Sequence, residues 1–210
     1  MSKQNSLQGV STGMRRGGSG GSGGGGGQER GQGGIRFGNA PSMRPAGMSL
    51  ADEEAMEERV LAGSGNTDKR VRHQHDQEVF HALLRHHDQI QRELTQIPDG
   101  IRSLTTSANP EIVRLLHDHV PAMHHRLEEN FGLRFWDPAF PEIFAQREKV
   151  RMVVTLVPTG VLVEETSDDP NAVTLIQAHG AVVSLFVRRG FAQAQESSPL
   201  PDNYQRVLGA

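Results

Sequence analysis

The feature of this sequence that most constrains its fold is one pattern that recurs at an offset of sixty residues. Aligned without a gap, residues 80–128 and 140–188 share ten identical pairs out of 49. The identities include the turn residues Pro98 and Gly100 and the helix-start Pro110, where backbone geometry is most restricted, so a common unit is the simplest explanation. The sequence therefore predicts an internally duplicated α-β-β-α unit, with repeats of about 75–130 and 135–190.

Each repeat contains the same order of local signals. In the first, Phe80, Leu83 and Leu84 recur at helical spacing, which predicts an amphipathic helix. Pro98 and Gly100 then predict a hairpin turn with a bulge. A second helix should follow, beginning at a proline and capped by the polar residue before it. The predicted fold is α+β, a four-stranded antiparallel sheet covered by helices.

The chain divides by composition into three parts. Residues 1–66 include a Gly/Ser-rich stretch with little to bury, which predicts a disordered arm. The duplicated domain is expected over 67–195, followed by a flexible tail over 196–210. Within the domain, the nearly continuous apolar run 150–157 is expected to form a central strand covered on both faces.

Charge and motifs exclude several classes of function. The net charge of −3 and interspersed charges give no strong nucleic-acid signal, and the absence of cysteine excludes disulfides and thiolate metal sites. Common motifs for a catalytic serine, a zinc protease or a phosphate loop are absent. No signal peptide or membrane span is indicated, so the cytoplasm is the default compartment, with an exported form left open. The arm is expected to be a soluble tether, with weak contact to RNA or an anionic surface through its arginines as the alternative and a protein partner left open.

The ten histidines are the strongest functional lead. At 100° per residue His119 falls in the middle of an apolar helical stripe, four residues before Met123 on the same face. His117 should point toward solvent. His179, sixty residues after His119, also falls on an apolar stripe, so the two imidazoles are predicted to face each other across the core.

Two inward imidazoles and a thioether are typical ligands of copper or haem iron. The candidate metal ligands are therefore His119, His179 and Met123, with His86 or His87 in support. Helical periodicity places His87, rather than His86, on the apolar stripe of the first helix. The alternative is that the inward histidines are structural and hydrogen-bond to the backbone.

The segments PTGVLVEETSDDP and LIQAHGAVVSLFV resemble a group of uncharacterised bacterial proteins with the pattern G-V-x-V-x-E-T-S-D-D-P followed by L-I-Q-A-H. The resemblance covers about residues 78–192 and brings no established activity. It implies histidines at the positions of His86, His119 and His179. It implies a fourth histidine where this chain has Gln146.

These observations favour a small metal- or haem-binding protein, with electron transfer or metal handling as its role, over an enzyme with its own nucleophile. An enzyme that uses bound haem or copper is a further option. The competing hypothesis is a non-catalytic structural or interaction module.

Overall fold

The structure is a computed structural model, and it describes residues 67–208 together with residues 45, 47–49, 51, 52, 55 and 59. The prediction of a disordered arm falls almost entirely outside these residues. Ser49 and Asp52 exchange hydrogen bonds in the manner of a helix cap, and the described residues that follow are helical.

Five helices and four strands make up the described domain. In chain order they are α1 (Thr67–Arg85), β1 (Gln91–Ile97), β2 (Gly100–Thr106), α2 (Pro110–Glu128), α3 (Ala139–Ala145), β3 (Arg151–Val157), β4 (Gly160–Thr166), α4 (Pro170–Arg189) and α5 (Phe191–Ala194). Short 3-10 turns, His87–Gln89 and Arg147–Lys149, precede β1 and β3. The predicted α+β class is confirmed.

The four strands form one antiparallel sheet in the order β1-β2-β4-β3. The second strands of the two hairpins pair at the centre, where Ser103 lies opposite Val163. Because these two residues are sixty positions apart, the sheet is approximately symmetric about the point between them. This arrangement places the helices of both halves over one sheet.

The sixty-residue offset is visible in the backbone. Each element from β1 to α2 begins sixty residues before its counterpart between β3 and α4. The backbone N–H of Ser107 donates to Thr159, and the N–H of Ser167 donates to Asp99, so each half holds the turn of the other. Descent of both halves from one duplicated unit stays a prediction.

The hairpin turns require glycine at one position each. A Cβ on Gly100 would overlap the carbonyl oxygen of Glu165, and a Cβ on Gly160 would overlap that of Thr105. The pairing runs without interruption to Ile97 and Gly100, so the predicted turn is confirmed but the predicted bulge is wrong.

The predicted helix starts are confirmed. The side chain of Asn109 accepts a hydrogen bond from the N–H of Glu111, and Asp169 caps α4 in the same way. Pro110 and Pro170 occupy the first helical positions, where no intrahelical N–H bond is needed.

The helices cover one face of the sheet. Ile101, Val161 and Val163 are buried beneath them, and Val79, Leu83, Ile112 and Leu116 of α1 and α2 complete this part of the core. The alternating residues of the central strands lie on the other face, and Arg102 is exposed there. Burial on one face explains the alternation along each strand.

The expectation that the run 150–157 forms a central strand is wrong. β3 lies at the sheet edge, where Val153 and Leu156 remain 49% and 52% exposed. Its burial pattern is the same as that of β1, the opposite edge. The pairing of β2 with β4 decides which strands are central, and the apolar content of β3 does not.

The expectation of a flexible tail is wrong for residues 196–208. Ser198 is buried, and both its N–H and its hydroxyl donate to Asp137. Tyr204 is also buried and donates its hydroxyl proton to Glu142, which accepts two further backbone N–H groups. The segment contributes Tyr204 to the core beside Ile143 and Leu175.

Candidate ligand-binding site

A cavity of about 200 Å³ lies between the helices of the two halves. Its walls come from α1, α2, α3, α4, the connection between α2 and α3, and strands β3 and β4. The lining is mainly apolar and contains six aromatic rings, those of Phe80, Phe135, Trp136, Phe140, Phe144 and Phe186. Three predicted ligands, His119, His179 and Met123, line this cavity.

The imidazole of His119 is held in place by packing. Its ring stacks on Phe80 with centroids 5.2 Å apart and planes 10° from parallel. Its Nδ1 atom is buried and has no hydrogen-bond partner among the described residues. Burial lowers the pKa of His119 to about 4, against a smaller opposing effect of Asp76, so the ring is neutral near pH 7.

His179 has a matching environment in the other half. Phe140 packs edge-on against its ring, with centroids 5.4 Å apart. Burial lowers the pKa of His179, and the charge of Glu165 opposes that shift. This imidazole is therefore neutral as well.

The two histidines are joined by a row of aromatic rings. Phe186 contacts both Phe80 and Phe140, which in turn contact His119 and His179. Phe80 and Phe140 are themselves sixty residues apart. The two histidines, sixty residues apart, thus line one cavity, and their action as a ligand pair stays a prediction.

The two supporting candidates lie elsewhere. The Nδ1 atom of His87 is 2.9 Å from the carbonyl oxygen of Val187, and His86 lies near Gln89. Neither lines the cavity. Gln146, where the resemblance implies a histidine, is buried and donates to Tyr204. The four-histidine set that the resemblance implies is therefore not assembled around the cavity.

His117 does not point to solvent, so that expectation is wrong. Its Nε2 atom lies 3.0 Å and 2.8 Å from the carbonyl oxygens of Val157 and Gly160 in the second hairpin. Gln177, sixty residues later, donates in the same way to Ile97 and Gly100 in the first hairpin. The angular position of His117 on its helix does not predict this contact, because the partner is the hairpin turn of the opposite half, which packs against this side of the helix.

Buried charges around the cavity were not found from the sequence. Arg126 donates to Asp76 at 2.6 Å, and Arg134 donates to Asp137 at 2.8 Å. Arg134 also lies over the ring of Trp136, 4.3 Å from its centroid. The spacing in sequence does not predict the pair of Arg126 with Asp76. Arg134 and Asp137 are three residues apart, which is the only sequence signal for their pair.

Glu165 is a further cavity residue that sequence reasoning missed. It is 8% exposed and lies on the helix-covered face of β4. Its place in the alternation Val161, Val163, Glu165 is the signal that could have found it. Its carboxylate therefore faces the helices as the apolar residues before it do.

The donor set of the cavity is small. Among the described residues, no three or more side chains of His, Asp or Glu are grouped closely enough to hold a metal ion. The donors predicted from the sequence that line the cavity are the imidazoles of His119 and His179 and the thioether of Met123, and His73, Asp76 and Glu165 also line it.

The fold and the cavity together define a class: an approximately symmetric α+β domain with a ligand-sized apolar cavity between its helical halves. Comparison with protein-family models, curated proteins and solved structures finds no match for this chain. Of the described helices, α4 alone has the length and apolar composition needed to cross a bilayer. In this fold α4 contacts β1 and β2 and lines the cavity.

Proposed function

We propose that this protein binds a soft metal centre, a copper ion or haem iron, in the cavity through His119 and His179. The observation that carries the proposal is that both imidazoles line one cavity and that Nδ1 of His119 has no partner in the part of the chain that the structure describes. An unpaired buried nitrogen costs about 1–3 kcal/mol, and a bound ligand removes this cost. Metal handling or electron transfer is the corresponding role.

The chemistry of the donors favours copper or haem iron over harder ions. Neutral imidazole and thioether ligands suit copper and haem iron, whereas magnesium and calcium require several oxygen ligands. Met123 stands four residues after His119 on α2, so both side chains are directed into the cavity from one helix face.

Size and wall chemistry distinguish the two metal centres. The cavity of about 200 Å³ is smaller than the roughly 300–1,000 Å³ of sites for drug-sized ligands. A copper ion needs no enlargement. Haem needs a larger cavity than this one, but the aromatic walls suit its macrocycle. Copper is therefore the first candidate and haem the second.

The test is titration of the full chain with Cu(I), Cu(II) and hemin, followed by absorption spectroscopy and metal analysis. We expect one tight site that is lost in His119→Ala and in His179→Ala. His125→Ala is the matched control, because His125 lies on the same helix but is exposed and pairs with Glu129.

The results separate the proposal from a structural or interaction module. A Soret band identifies haem, and stoichiometric copper without such a band identifies copper. If the parent has no tight site, or if His125→Ala weakens binding as much as the other two variants, the interaction module becomes the better explanation.

A further inference from the structure

We propose that the same cavity binds a small planar aromatic molecule that carries a hydrogen-bond donor, with Glu165 as the acceptor for that donor. This inference goes beyond the proposed function because it requires no metal. The ligand class is a neutral or monocationic molecule of one ring or two fused rings, such as an indole or a phenol.

The size and the walls of the cavity set the shape of the ligand. Its volume of about 200 Å³ is slightly larger than that of an apolar cavity of about 150 Å³ known to bind benzene. Aromatic rings pack favourably in offset or edge-to-face arrangements. The His119 and Phe80 pair shows the first arrangement and the His179 and Phe140 pair the second.

Most charged groups of the cavity wall already have partners. Asp76 accepts from Arg126, and Arg134 donates to Asp137 and to the carbonyl oxygens of Ala194 and Glu196. These groups therefore have little capacity left for a ligand.

Glu165 differs from the other carboxylates. Within the described residues its carboxylate forms no hydrogen bond or ion pair. Arg92 supplies nearby positive charge, but its N–H groups donate to Ser184 and Thr105 instead. Because Glu165 is only 8% exposed and lines the cavity, a ligand O–H or N–H bound there would be its hydrogen-bond donor.

The experiment compares two probes of nearly equal shape in chelator-treated full-length protein. Indole carries an N–H donor, and benzofuran has an oxygen at that place and no donor. Binding is measured by calorimetry and by ligand-observed NMR. We expect indole to bind about tenfold more tightly than benzofuran, since a hydrogen bond to a charged group adds roughly that factor.

Two neighbouring glutamates provide matched variants. Glu165→Gln should weaken indole binding about tenfold and leave benzofuran binding nearly unchanged. Glu164→Gln is the control, because Glu164 lies on the opposite sheet face and pairs with Arg102. Val183→Phe should fill the cavity and abolish binding of both probes.

Several results would overturn the inference. These are absence of binding by the parent, equal affinity for the two probes, or equal loss in both glutamine variants. If Glu165→Gln does not fold, the relative affinity of the parent protein for indole and benzofuran still tests the inference. The copper and hemin titrations depend on His119 and His179, so either proposal can fail while the other stands.

Discussion

The two halves of the molecule share a backbone plan in the sheet but differ in how their helices are held. In the first half Arg126 forms a buried ion pair with Asp76. Sixty residues later stands Phe186, which packs against Phe80 and Phe140. The comparison shows that strand and turn geometry is restricted by backbone hydrogen bonds, whereas helix contacts can be satisfied by unrelated side chains.

Among the described residues, the second half has an additional support with no counterpart in the first half. The C-terminal segment packs on α3 through Tyr204 and Glu142, and it is tied to the α2–α3 connection through Ser198 and Asp137. Ala82 stands where the first half would need the counterpart of Glu142, so no equivalent hydrogen bond can form there.

Breaking the ion pair of the first half should have the largest effect. Arg126→Ala leaves Asp76 buried without its charged partner, so we expect a loss of about 3–5 kcal/mol in the free energy of unfolding. The measurement is urea denaturation. Arg72→Ala is the control, because its pair with Glu129 is about one-third exposed and should contribute about 0–1 kcal/mol. Similar losses in both variants would contradict the role of burial.

Acid should destabilise the protein through its inward histidines. Because the pKa of folded His119 is lowered to about 4, the unfolded state binds protons first as the pH falls below about 6.5. The free energy of unfolding should decrease by up to about 3 kcal/mol between about pH 6.5 and pH 4. Below about pH 4 the contribution of His119 should not change further. His179, whose pKa is also lowered, acts in the same direction.

His119→Phe tests this dependence because it keeps an aromatic ring beside Phe80 and removes the titrating group. We expect a shallower fall in unfolding free energy between about pH 6.5 and 4 than in the parent. An equal change of slope in His125→Phe, an exposed position on the same helix, would show that the effect is not specific to His119. Parallel curves for His119→Phe and the parent would show that His119 does not carry the effect.

Substitution of either hairpin glycine should lower stability by a similar amount, because the two turns have the same backbone geometry in both halves. Gly100→Ala and Gly160→Ala each place a Cβ against a backbone carbonyl, and we expect each to cost about 1–3 kcal/mol. Thermal unfolding provides the measurement. Thr95→Ala, on an exposed edge position, should change stability by less than about 0.5 kcal/mol. Clearly unequal costs for the two glycines would show that the sheet symmetry does not extend to the turns.

The smallest effect is expected at the C-terminal support. Tyr204→Phe removes the proton that Glu142 accepts and the oxygen to which Gln146 donates. We expect a loss of about 1–2 kcal/mol, measured by urea denaturation. Asp202→Ala, an exposed change in the same segment, is the control. An unchanged midpoint for Tyr204→Phe would mean that this segment contributes little to stability.

The local elements and the inward-facing histidines could be predicted from the order of residues along the chain. Proline, glycine and capping residues specify the turns and helix starts because they act on the backbone within a few residues. Helical periodicity identified His119 and His179 because one face of each helix must be apolar. These inferences depend on short-range geometry.

Tertiary structure decided what depends on contacts between distant segments. Pairing of β2 with β4 placed β3 at the edge despite its apolar sequence. The hairpin of the opposite half gave His117 its partners, and the packing of the helices of both halves on one sheet face left His87 outside the cavity and placed Glu165 inside it. The periodicity of a single segment cannot predict these contacts, because the partners lie about 40 to 100 residues away in sequence.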